Sequence, residues 1–383
     1  MTMLRNSIIY NPRHRIADKP GVKYPIRRAV RHAIRPHAEG SRTSRQSSLR
    51  VPQEWLGLVN LSQDVEYGFP ITTAQGKGTI VVSQQQQGLQ IRRLGGKLGA
   101  EVHGVRLSGD LHPATVRTIH AAILEHKVLF FREQNHLDDA SQEAFAKLFG
   151  ALNEHPTVPS VAGTEAILEV SAERGEVASN WHADFTFLDR YPQITILRPQ
   201  TLPAAGGNTL WGNTEAAYDE LPDSLKDLAD KLWTLHTNDY DYVGDRPVRE
   251  KGKTRHSEVF LRTVFQTEQP LVAIHPHTGK KVLIVGNFIQ RILGYRTPDS
   301  RDLLEIFHRH ATSPENTIRW AWSLGDVAVW DNRATIHRAV DDFGAEPRVV
   351  RRSTVAGEPA VGVDGRRAHT RVIGGKPAAV AAA

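Results

Sequence analysis

The sequence predicts a mixed α/β protein, mainly β, built as a double-stranded β-helix (jelly roll) with flanking helices, and two observations carry that expectation. Short apolar or alternating runs recur from Leu89 onward, and helical spacing appears in only a few segments between them. Many short strands with a few outer helices suit a closed barrel better than a parallel sheet.

Taken in order, Leu89-Gln90-Ile91 and Ala100-Glu101-Val102 alternate as strands do. Residues 113–126 place Val116, Ile119, Ile123 and Leu124 at helical spacing, and Val128-Leu129-Phe130-Phe131 is a short buried-strand run. Asp138 or Asp139 caps a helix running through Leu148. Strands are expected at Thr195-Ile196-Leu197, Val282-Leu283-Ile284-Val285, Thr317-Ile318-Arg319-Trp320 and Asp326-Val327-Ala328-Val329-Trp330, with helices over 223–235 and 299–310. Residues 239–264, rich in Asp, Arg and Lys, read equally as a mobile lid or as a plain surface loop.

A chain of 383 residues with 40% hydrophobic content can bury a substantial core. No run reaches the roughly 18 apolar residues that span a bilayer, and no apolar segment with a small-residue cleavage site follows the N-terminus, so a membrane span and a cleaved secretion signal are not expected. The absence of cysteine excludes disulfides, thiolate metal sites, iron–sulfur ligation and cysteine nucleophiles, so any metal must use histidine and carboxylate.

The net charge of +6 belongs to one end. Residues 1–50 hold twelve of the 48 Lys and Arg and two of the 42 Asp and Glu, leaving 36 against 40 in the rest, a net of −4. That balance gives no support to nucleic-acid binding by the body of the protein. The expected organisation is a basic, largely disordered extension over 1–87, a folded domain over 88–360 and a tail over 361–383. The leader fits an organelle-targeting segment or a start codon placed too far upstream; without targeting, the expected location is the cytoplasm.

The chemistry-bearing segment is Trp181-His182-Ala183-Asp184-Phe185-Thr186-Phe187. As a strand it puts His182 and Asp184 on one face, so that two ligands converge on one point. Iron(II) oxygenases need two imidazoles and one carboxylate on one side of the metal, with the other positions open, and His337 is the expected third ligand. His-x-Asp alone is weak evidence: a second copy, His136-Leu137-Asp138, reads as a helix cap. The specific half is Trp330-Asp331-Asn332-Arg333 leading to His337, together with Gly206-Gly207-Asn208-Thr209-Leu210-Trp211.

At these residues, over roughly Leu94 to Gly357, the sequence resembles the taurine dioxygenase family of 2-oxoglutarate oxygenases. The resemblance implies iron(II) on His182, Asp184 and His337, and 2-oxoglutarate and dioxygen as cosubstrates. It implies that Arg348, eleven residues past His337, holds the far carboxylate of 2-oxoglutarate with help from Thr209. A planar two-pronged guanidinium suits that task better than lysine. It also implies that Arg352 and His155 receive the anionic sulfur group of an organosulfur substrate. Arg348 and Arg352, with Val350 between them, are expected on one face of a strand.

Leu235-His236-Thr237-Asn238-Asp239-Tyr240, Pro314-Glu315-Asn316-Thr317 and the 330–342 segment are similar to the alkyl sulfatase branch, and Ala178 stands where taurine-specific relatives have an amine-binding Asn. The implied activity is hydroxylation of the carbon bearing a sulfate ester, releasing aldehyde and sulfate with succinate and carbon dioxide. The alternatives are an alkylsulfonate or phenoxyalkanoate dioxygenase, and an inactive jelly-roll binding protein. The resemblance also implies a homo-oligomer.

Overall fold

A computed structural model of the chain describes residues 69–73, 76–80, 89–174, 176–239 and 263–373. The chain divides into units 1–83 and 84–383. In the first, Phe69–Thr73 and Gly76–Ile80 pair antiparallel, Phe69 opposite Ile80; no strand was expected there, and the other residues expected to be disordered lie outside those described.

The second unit is the expected jelly roll. Its larger sheet runs, in spatial order, Gln90–Arg93, Ala100–His103, Val128–Phe131, Val327–Asp331, Ile194–Thr201, Val349–Val355 and Leu168–Ser171. Only the pair Ala100–His103 with Val128–Phe131 is parallel. A three-stranded sheet of Thr317–Trp320, Thr209–Asn213 and Thr335–Ala339 supplies the opposing wall.

Alternation along the central strands explains why both faces of the large sheet are buried. Leu129, Phe131, Val327 and Val329 pack outward with Ile119, Ile123 and Phe145 of the helices Pro113–His126 and Asp139–Lys147. Val128, Phe130, Ala328 and Trp330 pack inward against Trp211 and Trp320 of the small sheet. Phe130 stacks on Trp320 with centroids 4.0 Å apart, closing the interior at that end. Asp138 caps the second helix, accepting from the Ser141 N–H at 2.8 Å, which is the role read for the second His-x-Asp copy.

Three expectations need correction. The helix expected over 223–235 ends at Ala229, and Trp233–Thr237 is a strand paired with both Val264–Pro270 and Ile289–Ile292. Its alternating aromatic and β-branched residues, flanked on two sides, outweigh the helical spacing that runs into them. The expected tail beginning at 361 instead carries the strand His369–Ile373 on the edge of Val264–Pro270. Residues 181–187 do not form a strand beyond a single bridge at His182, as described below. Of the segment read as a lid or loop, 240–262 lie outside the described residues.

The strand Trp233–Thr237 buries His236 between two hydroxyls, Thr186 Oγ1 on Nδ1 and Thr234 Oγ1 on Nε2, each at 2.9 Å. Burial pushes this imidazole down to about 3. The unfolded chain takes up the proton near its ordinary value of about 6.5 and the folded chain does not, so this contribution to stability is present above that value and is lost as pH falls toward 3. Urea unfolding is therefore expected to show stability falling between about pH 7 and pH 5, with a shallower slope in His236→Gln. An unchanged slope would assign the acid sensitivity elsewhere.

Candidate metal centre

His182 and His337 face each other as a backbone pair: the His182 N–H donates to the His337 carbonyl at 3.0 Å, and the His337 N–H to the His182 carbonyl at 2.7 Å. On its other side His337 pairs with Trp211 of the small sheet. The ladder thus fixes both imidazoles at one level of the barrel, with ring centroids 4.2 Å apart. The backbone at Gly286 (φ +140°) passes so close that a Cβ there would stand 3.0 Å from the His182 Cα.

After His182 the chain leaves the extended conformation and turns through residues 184–187, with Phe185 at φ +56°. The reason is a side chain that takes the place of a neighbouring strand. The Asn332 amide accepts from the Asp184 N–H at 2.8 Å and donates to the Asp184 carbonyl at 3.1 Å and the Pro192 carbonyl at 3.0 Å. Both backbone groups of Asp184 are satisfied without a ladder. Thr195 Oγ1 then donates to Asp184 Oδ2 at 2.9 Å and orients the carboxylate.

His182, Asp184 and His337 are buried and offer ligand atoms that all lie within 4.8 Å of one another. His182 Nδ1 meets the Asn180 carbonyl at 2.8 Å, which places the proton on that nitrogen and turns the Nε2 lone pair toward Asp184 Oδ1, 3.9 Å away. Burial holds His337 well below its ordinary value and also lowers His182. Both are neutral, the form that binds metal. Burial alone would raise the Asp184 carboxyl, but the Arg352 guanidinium brings it below its ordinary value, so it is ionised. Two neutral imidazoles, whose Nε2 atoms each stand 3.9 Å from an oxygen of the one carboxylate, fit a divalent iron ion.

Arg348 lies just before Val349–Val355 and reaches the Gly207 carbonyl at 2.9 Å through Nε and Thr209 Oγ1 at 3.5 Å through Nη2. A Cβ at Gly207 (φ +63°) would lie 3.1 Å from Arg348 Cδ, so this approach requires glycine. Burial lowers the guanidinium to about 10, and among the described residues no carboxylate lies within ion-pair distance of it. A buried cation without a counter-charge can receive an anion.

Arg352 ion-pairs with Asp184 Oδ1 and lies over the Phe185 ring, 5.0 Å from its centroid. Its Nη2 is buried and has no hydrogen-bond partner among the described residues. His155 packs edge-on against the same ring, 4.8 Å from the Phe185 centroid. The loop carrying it is tied to the Arg352 strand by the Asn153 N–H on the Thr354 carbonyl at 2.8 Å. A register shift between Val349 and Val350 interrupts the expected single face. Val350 and both arginines are nevertheless buried, while Arg351 turns away to Glu169.

All seven residues singled out from the sequence are therefore placed here, while Asn332 and Thr195 were missed. The signal for Asn332 was available: it stands inside Trp330-Asp331-Asn332-Arg333, where a strand ends. Replacing Asn332 by alanine is expected to weaken iron(II) affinity by about 10- to 100-fold while far-ultraviolet dichroism stays native. Unchanged affinity would reduce Asn332 to a fold-stabilising residue.

Residues 90–354 match the family described as taurine catabolism dioxygenase TauD, TfdA. The chain is 52% identical over 283 residues to an alpha-ketoglutarate-dependent sulfate ester dioxygenase of Pseudomonas putida, covering 74% of this chain and 94% of that one. It is 48% identical over 293 residues to an alkylsulfatase of Acinetobacter baylyi, covering 76% and 92%. A crystal structure of a taurine dioxygenase from Burkholderia xenovorans is similar at a TM-score of 0.63 and 36% identity, over 76% of this chain and 96% of that one.

Proposed function

The chain belongs to the taurine catabolism dioxygenase TauD, TfdA family, whose dioxygenases use iron(II), 2-oxoglutarate and dioxygen, and from that premise we propose that it oxidatively cleaves alkyl sulfate esters. The carrying observation is a buried His-Asp-His cluster with the Arg352 guanidinium paired to its carboxylate, and a second buried guanidinium, Arg348, that among the described residues has no carboxylate. The names of the two relatives at 52% and 48% identity support the ester as the substrate class.

In this reading His182, Asp184 and His337 hold the iron. When bound, iron(II) with 2-oxoglutarate activates dioxygen for hydroxylation of a C–H bond, with succinate and carbon dioxide as coproducts. Arg348 binds the far carboxylate of 2-oxoglutarate, and Thr209, which also accepts from Trp322 Nε1 at 2.9 Å, stands beside that carboxylate. Arg352 grips the sulfate group, His155 assists, and Phe185, which touches both, keeps water from the reacting carbon. A carbon carrying both hydroxyl and sulfate ester collapses to an aldehyde and inorganic sulfate. A cytoplasmic location and self-association are part of the proposal, to be checked by fractionation and light scattering.

Succinate release should be measured with iron(II) across alkyl sulfates, alkylsulfonates and phenoxyalkanoates. Turnover led by alkyl sulfates, with matching aldehyde and sulfate, is expected. Preference for a phenoxyalkanoate or a sulfonate would move the protein to that branch, and no substrate-dependent succinate from any class would favour a binding protein.

A further inference from the structure

The turn joining Val327–Asp331 to Thr335–Ala339 serves the metal centre through Asn332, but its neighbour Arg333 lines a separate cavity of about 60 Å³. Tyr191, Ala273, His275, Glu358 and Arg367 line it too, and none of its lining residues has a role in the proposed reaction. The volume is several times the roughly 10–15 Å³ that one water requires, and too small for a substrate with an alkyl chain.

The cavity lacks acceptors for the donors on its wall. His275 Nδ1 accepts from the His277 and Thr278 N–H groups, both at 3.3 Å, so its Nε2 carries the proton and donates to Asp331 Oδ2 at 2.8 Å. Asp331 Oδ1 accepts from the Arg333 N–H at 3.0 Å and from Arg333 Nε at 3.3 Å. Asp331 is thereby occupied on both oxygens. Arg333, which is 8% exposed, is not: Nη2 is buried with no partner, and among the described residues neither outer nitrogen of this guanidinium makes a hydrogen bond. Tyr191, 3% exposed, also lines the cavity, and its hydroxyl makes no hydrogen bond among the described residues. Arg367 and Glu358 are exposed at the rim, one charge of each sign.

An enclosed space whose inner wall offers N–H and O–H donors without acceptors calls for a ligand rich in acceptors. We propose that this cavity binds a small oxyanion of the size of sulfate, held by the outer edge of Arg333 and the Tyr191 hydroxyl, with Arg367 at the entrance. The site is distinct from the Arg352 pocket, and its existence does not depend on which substrate the metal centre oxidises.

Anaerobic equilibrium dialysis of the iron-loaded full-length chain, saturated with 2-oxoglutarate so that Arg348 is occupied, against radiolabelled sulfate at fixed ionic strength tests this. Arg352→Ala removes the catalytic anion pocket from the measurement, and in that background one saturable sulfate site is expected to remain. Adding Arg333→Gln should abolish it, and adding Tyr191→Phe should weaken it by about tenfold, the loss of one hydrogen bond to a charged ligand. Absence of a saturable site in the Arg352→Ala protein, the result expected if the cavity holds only water, overturns the proposal. A site indifferent to the Arg333 and Tyr191 changes overturns it equally. Should Arg333→Gln fail to fold, Tyr191→Phe, which deletes one oxygen, decides: unchanged affinity rejects the assignment.

Discussion

Asp184→Ala is expected to abolish iron(II)-dependent consumption of 2-oxoglutarate and, separately, to destabilise the fold by about 3–5 kcal/mol. The first effect follows from the donor set. Asp184 supplies the only carboxylate in the cluster, and two imidazoles alone leave the ion without its anionic ligand. The second follows from Arg352, which is buried and loses its counter-charge when Asp184 is truncated. Leaving one charge of a buried pair uncompensated costs more than the pair contributes. His182→Ala separates the two effects, because it deletes a ligand but strands no charge, the imidazole being neutral. Both variants should lose turnover in a succinate assay, and urea unfolding should show the larger loss of stability in Asp184→Ala. Persistent turnover in either variant would refute the ligand assignment, and equal destabilisation would mean that the Arg352 pairing contributes nothing specific.

How much of this was legible in the sequence depends on how local the cause is. The helix Pro113–His126 and the strand Val128–Phe131 agree with the reading from spacing alone, because their own residues decide which face is buried. The strand Trp233–Thr237 was hidden behind a helical run, and only its two neighbours settle it. The turn after His182 was invisible for a stronger reason: its ladder is replaced by an amide 148 residues away. His182 and Asp184 still converge, because an extended residue followed by a turn keeps alternate side chains on one side over so short a distance. The ligand set was therefore readable although the local structure carrying it was not. What spacing could not supply is the layer behind the ligands, Asn332, Thr195 and Gly286, whose roles exist only once the sheets close.

The same distinction between a charge and what it faces yields the sharpest test of the two arginines. Arg352→Ala, assayed at saturating iron(II), is expected to raise the KM for an alkyl sulfate by at least about thirtyfold while moving the KM for 2-oxoglutarate far less, since truncating one partner of a buried charge pair costs about 2–5 kcal/mol and each tenfold is about 1.4. Arg348→Ala should reverse the ranking, because its guanidinium is held by the Gly207 carbonyl and Thr209 and has no carboxylate among the described residues to lose. Arg348→Lys keeps the charge but not the fork, so it should recover only part of the loss in 2-oxoglutarate KM. Iron saturation matters because Arg352 also touches Asp184, and any weakening of the metal would otherwise appear in both parameters. If Arg352→Ala changed the 2-oxoglutarate KM more than that of the ester, the two guanidiniums would have to exchange roles. The sulfate grip would then fall to the residue beside Thr209 rather than to the one beside Phe185.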